Sequence, residues 1–326
     1  MAHFTVYVTR KIWDEVRQQL AQVGTVVMWD EPRPIPHNEL LAHVRDADAL
    51  FCGADDQIDS EVIDAGRRLR IISTMSAGVD HIDLEVAAER GIIVCHTPGA
   101  ADESVADLTM ALLLACARNI VDADLFVKGR EWQFWAPDLF LGVDVQGSTI
   151  GIIGLGSIGL EVAHRALGFG MRVLYYDPRR NVDAELRLGV QYGSLDNVLR
   201  EADFITLHVP LLPSTYGLIN EPRLRLMKKT AYLINMSRGP VVDHTALVRA
   251  LRDGWIAGAG LDVFEQEPIP LDDPLLELPT VILTPHIGAN TYSGMITMMR
   301  MAAEQIVAVL QGHAPAHPVK MPGKAA

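Results

Sequence analysis

From Phe4 to Leu310, short apolar runs rich in β-branched residues alternate with stretches of helical periodicity, a pattern that parallel strands joined by crossover helices accommodate. The strand candidates of the first third are Phe4–Val8, Thr25–Met28, Ala49–Cys52, Ile71–Thr74 and Ile92–Cys95, with amphipathic stretches such as Lys11–Gln22 and Asp83–Arg90 between them. A second set runs through Thr149–Ile153, Val173–Tyr176, Phe204–His208, Tyr232–Asn235, Ala257–Leu261 and Val281–Leu283. Two complete α/β cycles in 326 residues, more than one ordinary core organises, predict two doubly wound parallel-sheet domains. A long helical pattern spans Asp102 to Lys128 and ends in a loop over Glu131–Val145. A last helix, Ala289 to Leu310, follows the final strand, so the tail is expected to cross back to the first domain. The expected division is residues 1–100 with 291–326, and 101–290 as an inserted domain, with two helices as the hinge. The last dozen residues read as a Pro-containing, partly mobile tail.

Composition narrows the partners. A formal net charge of −13 with no basic stripe argues against nucleic acid, whose backbone is bound through counterion release, and against an anionic membrane surface. A local basic pocket for an anionic substrate remains compatible with it. Cys52, Cys95 and Cys116 are isolated in apolar runs without metal-ligand or disulfide spacing, so they read as buried thiols and no metal is expected. No basic start precedes an apolar stretch, and runs such as Met110 to Ala117 are too short to span a bilayer. A cytoplasmic protein is expected.

The sharpest local signal is Gly154-Leu155-Gly156-Ser157-Ile158-Gly159, directly after the Thr149–Ile153 run and opening a helical pattern. Gly154 permits a tight turn, Gly156 lets backbone approach a pyrophosphate, Gly159 lets helix and strand pack closely, and the helix start near Ser157 offers free N–H groups to phosphate. A glycine triplet by itself also fits a plain tight turn. The next strand, however, ends in Asp177, where a carboxylate accepts both ribose hydroxyls and repels a 2′-phosphate. NAD is therefore favoured, while Arg179 and Arg180 keep NADP open, since a guanidinium tolerates the extra phosphate.

Three further motifs follow later strands, where an open α/β sheet places its ligand crevice. Asn235-Met236-Ser237-Arg238-Gly239 carries an arginine able to grip a carboxylate bidentately while facing a carbonyl oxygen. Leu261-Asp262-Val263-Phe264-Glu265-Gln266-Glu267-Pro268 supplies carboxylates, and Thr284-Pro285-His286-Ile287-Gly288 an imidazole. Singly, each is as well explained by a solvated loop charge or a satisfied turn. Together, downstream of a dinucleotide loop, they suit general acid/base work beside a hydride donor.

These four motifs resemble the signatures of the D-isomer-specific 2-hydroxyacid dehydrogenases, with likeness from about Ile71 onward. Thr74-Met75-Ser76-Ala77-Gly78-Val79-Asp80-His81-Ile82-Asp83, Phe140-Leu141-Gly142 and Gly254-Trp255-Ile256-Ala257-Gly258-Ala259-Gly260 narrow it toward the glyoxylate/hydroxypyruvate reductases. The resemblance implies a flavodoxin-like substrate domain, a Rossmann NAD-binding domain, and NADH-dependent reduction of a small 2-oxo acid, D-specific where the product is chiral. By the same resemblance, Arg238 binds the substrate carboxylate and polarises its carbonyl. His286 is the acid in reduction and the base in oxidation, and Glu267 orients its ring and raises its pKa. Asp262 holds the nicotinamide carboxamide. Leu155, Ser157, Ile158, His208, Val209, Pro210, Met236, Ser237 and Gly288 join the glycines, Asp177, Arg238 and His286 along the cofactor. Backbone N–H groups of Ser76-Ala77-Gly78 add donors to the carboxylate from the other domain. The family's formate dehydrogenases carry glutamine where Glu267 stands, which argues against formate oxidation, and no regulatory domain is expected after Leu310, which argues against a serine-regulated phosphoglycerate dehydrogenase.

Trp132 and Trp135 fall in a loop that packs at a subunit interface in this family, so a homodimer is expected. Trp135 then either reaches the partner's substrate pocket or simply anchors the interface. Other family activities (2-ketogluconate, D-lactate or D-glycerate dehydrogenase) and a dinucleotide-sensing corepressor are the alternatives. Turnover of glyoxylate or hydroxypyruvate separates the last from the enzymes.

Overall fold

A computed structural model describes residues 3–321. In chain order, β1 (Phe4–Val8), α1 (Asp14–Leu20), β2 (Gly24–Met28), α2 (His37–Val44), β3 (Ala49–Cys52), α3 (Ser60–Ala65), β4 (Ile71–Thr74), α4 (Leu84–Glu89) and β5 (Ile93–Cys95) come first. There follow α5 (Asp102–Ala117), α6 (Ile120–Lys128), β6 (Thr149–Ile153), α7 (Ser157–Gly168), β7 (Arg172–Tyr176), α8 (Val182–Leu188), β8 (Gln191–Tyr192), α9 (Leu195–Glu201) and β9 (Phe204–Leu207). The chain ends on α10 (Glu221–Leu224), β10 (Tyr232–Asn235), α11 (His244–Arg252), β11 (Gly258–Leu261), β12 (Val281–Leu283) and α12 (Tyr292–Leu310). It forms two compact units. One comprises the described residues up to Ala101 together with those from Thr291 onward, and the other is Asp102–Asn290.

Every strand pair is parallel, as crossover connections require. The first unit has the order β2-β1-β3-β4-β5, the flavodoxin-like arrangement, and the second β12-β11-β10-β9-β6-β7-β8, a Rossmann sheet extended by one strand. In the second sheet the order reverses between β6 and β9, which sets a ligand crevice beyond their carboxyl ends.

Burial on both faces explains why these strands read as continuous apolar runs. Ile150 and Ile152 of β6 join Met110 and Leu113 of α5 and Val162 and Ala166 of α7 in one apolar cluster. Ile153, on the opposite face, joins Val198 of α9 and Leu247 of α11 in another. Each of the larger side chains among them (valine, leucine, isoleucine, methionine) contributes about 1.5–3 kcal/mol by leaving water. In the first unit Leu50, Ile72 and Val94 pack with Leu40, Val62 and Ile63. There α12 lies against β3 and β4, and Ser73 Oγ donates to the Ala302 carbonyl at 3.0 Å.

Local chemistry trims several expected elements. The helical pattern over Asp102–Lys128 is two helices, because Asn119 sits in the left-handed region (φ 51°) and its amide donates to the Leu141 carbonyl at 3.0 Å. Asparagine tolerates that conformation, and a break of one turn leaves apolar periodicity almost unaltered. The last helix starts at Tyr292, where Thr291 Oγ1 caps it by accepting the Gly294 N–H at 3.0 Å. The two-residue edge strand β8 is exposed and too short to show a pattern. Among the described residues no helix is long and apolar enough to cross a membrane.

Candidate active site

At the switch point, β6 ends in Gly154, whose φ of 96° is a glycine conformation and whose Cβ would lie 2.8 Å from the His208 carbonyl oxygen. A Cβ on Gly159 would stand 2.2 Å from the Gly154 carbonyl oxygen. Protein packing therefore demands both glycines. Gly156 is different: a Cβ there meets nothing within 4 Å, so protein packing does not demand a glycine and the space in front of it is open. It is the N-cap of α7, which receives no side-chain cap, so its first-turn N–H groups are available to an anion.

Asp177 follows β7 and its carboxylate accepts the Leu155 N–H at 3.1 Å and the Arg179 N–H at 2.9 Å, which seats it beside the glycine loop. Arg180 is tied elsewhere, bidentate to Glu185 at 2.8 and 2.7 Å and over the Tyr192 ring. The hydrogen bonds from Arg180 and Tyr175 hold the Glu185 carboxyl down to about 2. His208 lies at the end of β9 with both ring nitrogens buried and unpartnered among the described residues, and burial pushes its pKa down to about 3. The ring stays neutral, a buried polar group next to the glycine loop. An open Gly156, an uncapped helix start, a seated carboxylate and an orphaned imidazole together fit a dinucleotide.

The next three strand ends bring together the candidate catalytic residues. Beyond β10, buried Asn235 accepts the N–H and hydroxyl of Ser237 at 3.1 and 3.0 Å and donates to the Arg238 carbonyl at 3.0 Å. Arg238 itself donates to the Ser237 carbonyl at 2.9 Å. A Cβ on Gly239 would fall 1.9 Å from the Phe264 carbonyl carbon, so the loops after β10 and β11 pack backbone on backbone.

Beyond β11, Asp262 is almost fully buried. One oxygen accepts the Thr284 hydroxyl at 2.6 Å and the Ile287 N–H at 2.9 Å, the other the Gly288 N–H at 2.8 Å. Three of its roughly four acceptor positions thus hold the loop after β12, leaving one for a ligand. The Asp262 carbonyl also accepts the His286 N–H at 2.9 Å. These tethers keep His286 at a φ of 52°, a strained conformation for a residue with a side chain.

His286 Nδ1 lies 2.6 Å from Glu267 Oε2, while Oε1 accepts the Phe264 N–H at 3.0 Å. A carboxylate can only accept, so Nδ1 carries the proton and Nε2 is the nitrogen left for chemistry. The hydrogen bond to Glu267 raises the His286 pKa above the ordinary imidazole value, against burial and the Arg238 guanidinium. Burial alone would push Glu267 up, but the bond and charge of His286, the Phe264 N–H and Arg238 hold it below its ordinary value. The hydrogen bond and the charge of Glu267 thus both favour the protonated ring, the form that can donate a proton.

Arg238, Glu267, His286 and Asp262 thus share the carboxyl edge of the second sheet with the glycine loop. The Ser76–Gly78 turn follows β4 in the first unit, and Trp135 is 75 % exposed on the Glu131–Val145 loop. Sequence reasoning missed Thr284 and Asn235 as supports. Asn235 two residues before Ser237 is an Asx-turn signal that was readable; nothing marks Thr284 before the fold brings it to Asp262.

A glycine loop at the switch point and an imidazole–carboxylate pair on the neighbouring strand ends suit hydride and proton transfer with a bound dinucleotide. Residues 110–288 match the model of the NAD binding domain of D-isomer specific 2-hydroxyacid dehydrogenases. The glyoxylate reductase of Korarchaeum cryptofilum is 47 % identical over 311 residues, 95 % of this chain and 94 % of that protein. Among solved structures, a Thermus thermophilus protein superposes with a TM-score of 0.91 at 44 % identity, covering 97 % of this chain and all of the other. The D-lactate dehydrogenase of Aquifex aeolicus, solved with NAD and lactic acid, gives 0.86 at 32 % identity over 98 % of this chain and 100 % of that one. The chain belongs to the D-isomer specific 2-hydroxyacid dehydrogenases: it is an enzyme of that family that binds a nicotinamide dinucleotide, and it is similar to glyoxylate reductases.

Proposed function

We propose that the protein reduces glyoxylate or hydroxypyruvate to the 2-hydroxy acid with NADH, giving the D product where it is chiral. The observation that carries this reading is the 2.6 Å His286–Glu267 pair beside the Arg238 loop, at the edge that holds the glycine cradle. Gly154 to Gly159, Asp177 and Asp262 hold the cofactor, which when bound supplies the hydride that reduces a carbonyl carbon. Arg238 grips the substrate carboxylate and polarises the carbonyl, and backbone N–H groups of the Ser76–Gly78 turn add donors to that carboxylate. His286 Nε2 delivers the proton to the developing alkoxide oxygen, and Glu267 keeps the ring oriented and protonated. A panel of 2-oxo acids tests the assignment: glyoxylate and hydroxypyruvate should show the highest kcat/KM with NADH. Higher efficiency with pyruvate or 2-ketogluconate would reassign the substrate within the family.

The cofactor choice rests on Asp177 and on Arg180 being committed to Glu185. A fixed carboxylate repels a 2′-phosphate and the engaged guanidinium is withdrawn from it. NADH should therefore be preferred to NADPH, and Asp177→Ser should shrink the ratio of their kcat/KM values on the order of tenfold, the change about 1.4 kcal/mol produces. Equal use of both cofactors by the wild type would overturn the assignment.

A second copy of this chain covers the apolar surface of the second unit. Helix α6 has no buried residue despite Ile120, Val121, Leu125 and Val127, and Trp132, Phe134, Trp135 and Leu141 stand exposed on the loop after it. So large an apolar surface calls for a partner. Sedimentation should give a homodimer, and Trp135→Ala should raise KM for hydroxypyruvate while leaving the dimer intact if this ring shapes the partner's pocket. A fully active monomer would reject both ideas. The three cysteines are free and buried, which fits a reducing compartment such as the cytoplasm.

A further inference from the structure

The Ser76–Gly78 turn owes its shape to the ends of β3 and β5. The Met75 N–H donates to the Cys52 carbonyl at 2.9 Å, and the Thr97 N–H to the Ser76 carbonyl at 2.9 Å. His96 Nδ1 lies 2.8 Å from the Ala77 carbonyl oxygen. In a trans peptide the C=O and the following N–H point in opposite directions. Tethering the Ser76 and Ala77 carbonyls toward β5 therefore turns the N–H groups of Ala77 and Gly78 the other way. Among the described residues neither donates to a protein acceptor. Successive free N–H groups of this kind make an anion-binding concavity.

The tether on Ser76 is backbone, but the tether on Ala77 is a side chain. That side chain is itself anchored. The His96 N–H donates to the His317 carbonyl at 3.3 Å, and the His96 carbonyl accepts from Gln305 Nε2 at 2.9 Å. Gln305, buried in α12, accepts the His317 N–H on its other end at 2.9 Å. A carbonyl can only accept, so His96 Nδ1 carries a hydrogen, which the neutral ring and the imidazolium both provide.

We propose that His96 is a positioning residue for the substrate: by holding the Ala77 carbonyl it fixes the peptide that presents the Gly78 N–H to the carboxylate of the 2-oxo acid. The inference rests on the reading of this turn as a carboxylate subsite. Without the tether the peptide rotates among several orientations and only a fraction of molecules offers both donors. Substrate affinity falls while the hydride donor and the acid–base pair are untouched.

The test is a variant series read by glyoxylate kinetics, by oxamate affinity of the NADH complex and by NADH affinity. His96→Ala should raise the KM for glyoxylate and the oxamate Kd together, about five- to tenfold, the loss of one hydrogen bond. Its kcat and NADH Kd should stay within about twofold of wild type. His96→Asn places an N–H at the same branch point and should restore both constants, whereas the isosteric His96→Asp offers only acceptors to a carbonyl and should be at least as poor as alanine. This Asn/Asp pair decides the matter even if the alanine variant folds badly. Asn and Asp variants that behave alike, or an alanine variant that loses kcat and NADH binding with KM unchanged, would overturn the role of His96. A wild type that reduces glyoxylate without binding oxamate detectably would instead reject the carboxylate subsite, and no turnover at all would reject the proposed function.

Discussion

His286→Ala is expected to lower kcat by about 10²–10⁴-fold, the range over which a positioned general acid acts, with the NADH Kd nearly unchanged. The loop carrying His286 is held by its backbone and by Asp262, through the Thr284 hydroxyl and the N–H groups of Ile287 and Gly288, so truncating the imidazole leaves the loop in place. What disappears is Nε2, the one ring nitrogen not committed to Glu267. Because the residue occupies the left-handed region, alanine adds a conformational cost that asparagine largely avoids. His286→Asn is therefore the control: it should be as slow as alanine if proton transfer is lost. Steady-state kinetics with NADH fluorescence titration read both quantities. A kcat within tenfold of wild type in both variants would remove His286 from the chemistry.

Glu267→Gln is expected to move the upper pH limit of reduction downward by about one to three units, the span an adjacent opposite charge commands. The amide has nearly the size of the carboxylate, so its oxygen still accepts from His286 Nδ1 or from Phe264, and geometry survives while charge does not. The sign follows from which form of His286 works. Reduction needs the protonated ring, and Glu267 raises the pKa through which that form is lost as pH rises. With glutamine the ring deprotonates earlier, and reduction at alkaline pH falls first. Oxidation of the 2-hydroxy acid needs the unprotonated ring, so its acid limb should move to lower pH by the same amount. Profiles that do not shift in either direction would reject the pairing.

The strands were largely legible because burial on both faces forces near-continuous apolar runs, as in Ala49–Cys52, Ile71–Thr74 and Tyr232–Asn235. The glycine loop was legible because its residue types answer backbone constraints: a positive φ at Gly154 and a close approach at Gly159. Element ends were harder. The break at Asn119 and the start of α12 at Tyr292 are decided by side-chain hydrogen bonds such as those to Leu141 and from Gly294, which apolar periodicity does not register.

The two α/β cycles, the glycine loop and the residue types of the strand-end motifs are legible in the sequence alone, since each follows from local patterning or from chemistry confined to a few neighbours in the chain. Which partners those residues take depends on the packing of the folded chain. Glu267 and His286 are 19 positions apart and meet at 2.6 Å, and Asp262 spends most of its acceptor capacity on a loop some two dozen residues onward. Of Arg179 and Arg180, both possible phosphate ligands on sequence grounds, Arg180 pairs with Glu185. His96 carried no signal at all until the sheet set β4 beside β5 and brought its ring to the Ala77 carbonyl. Parallel pairing makes neighbours of residues far apart in the chain, and the register that fixes their distances is settled by the packing of the whole sheet.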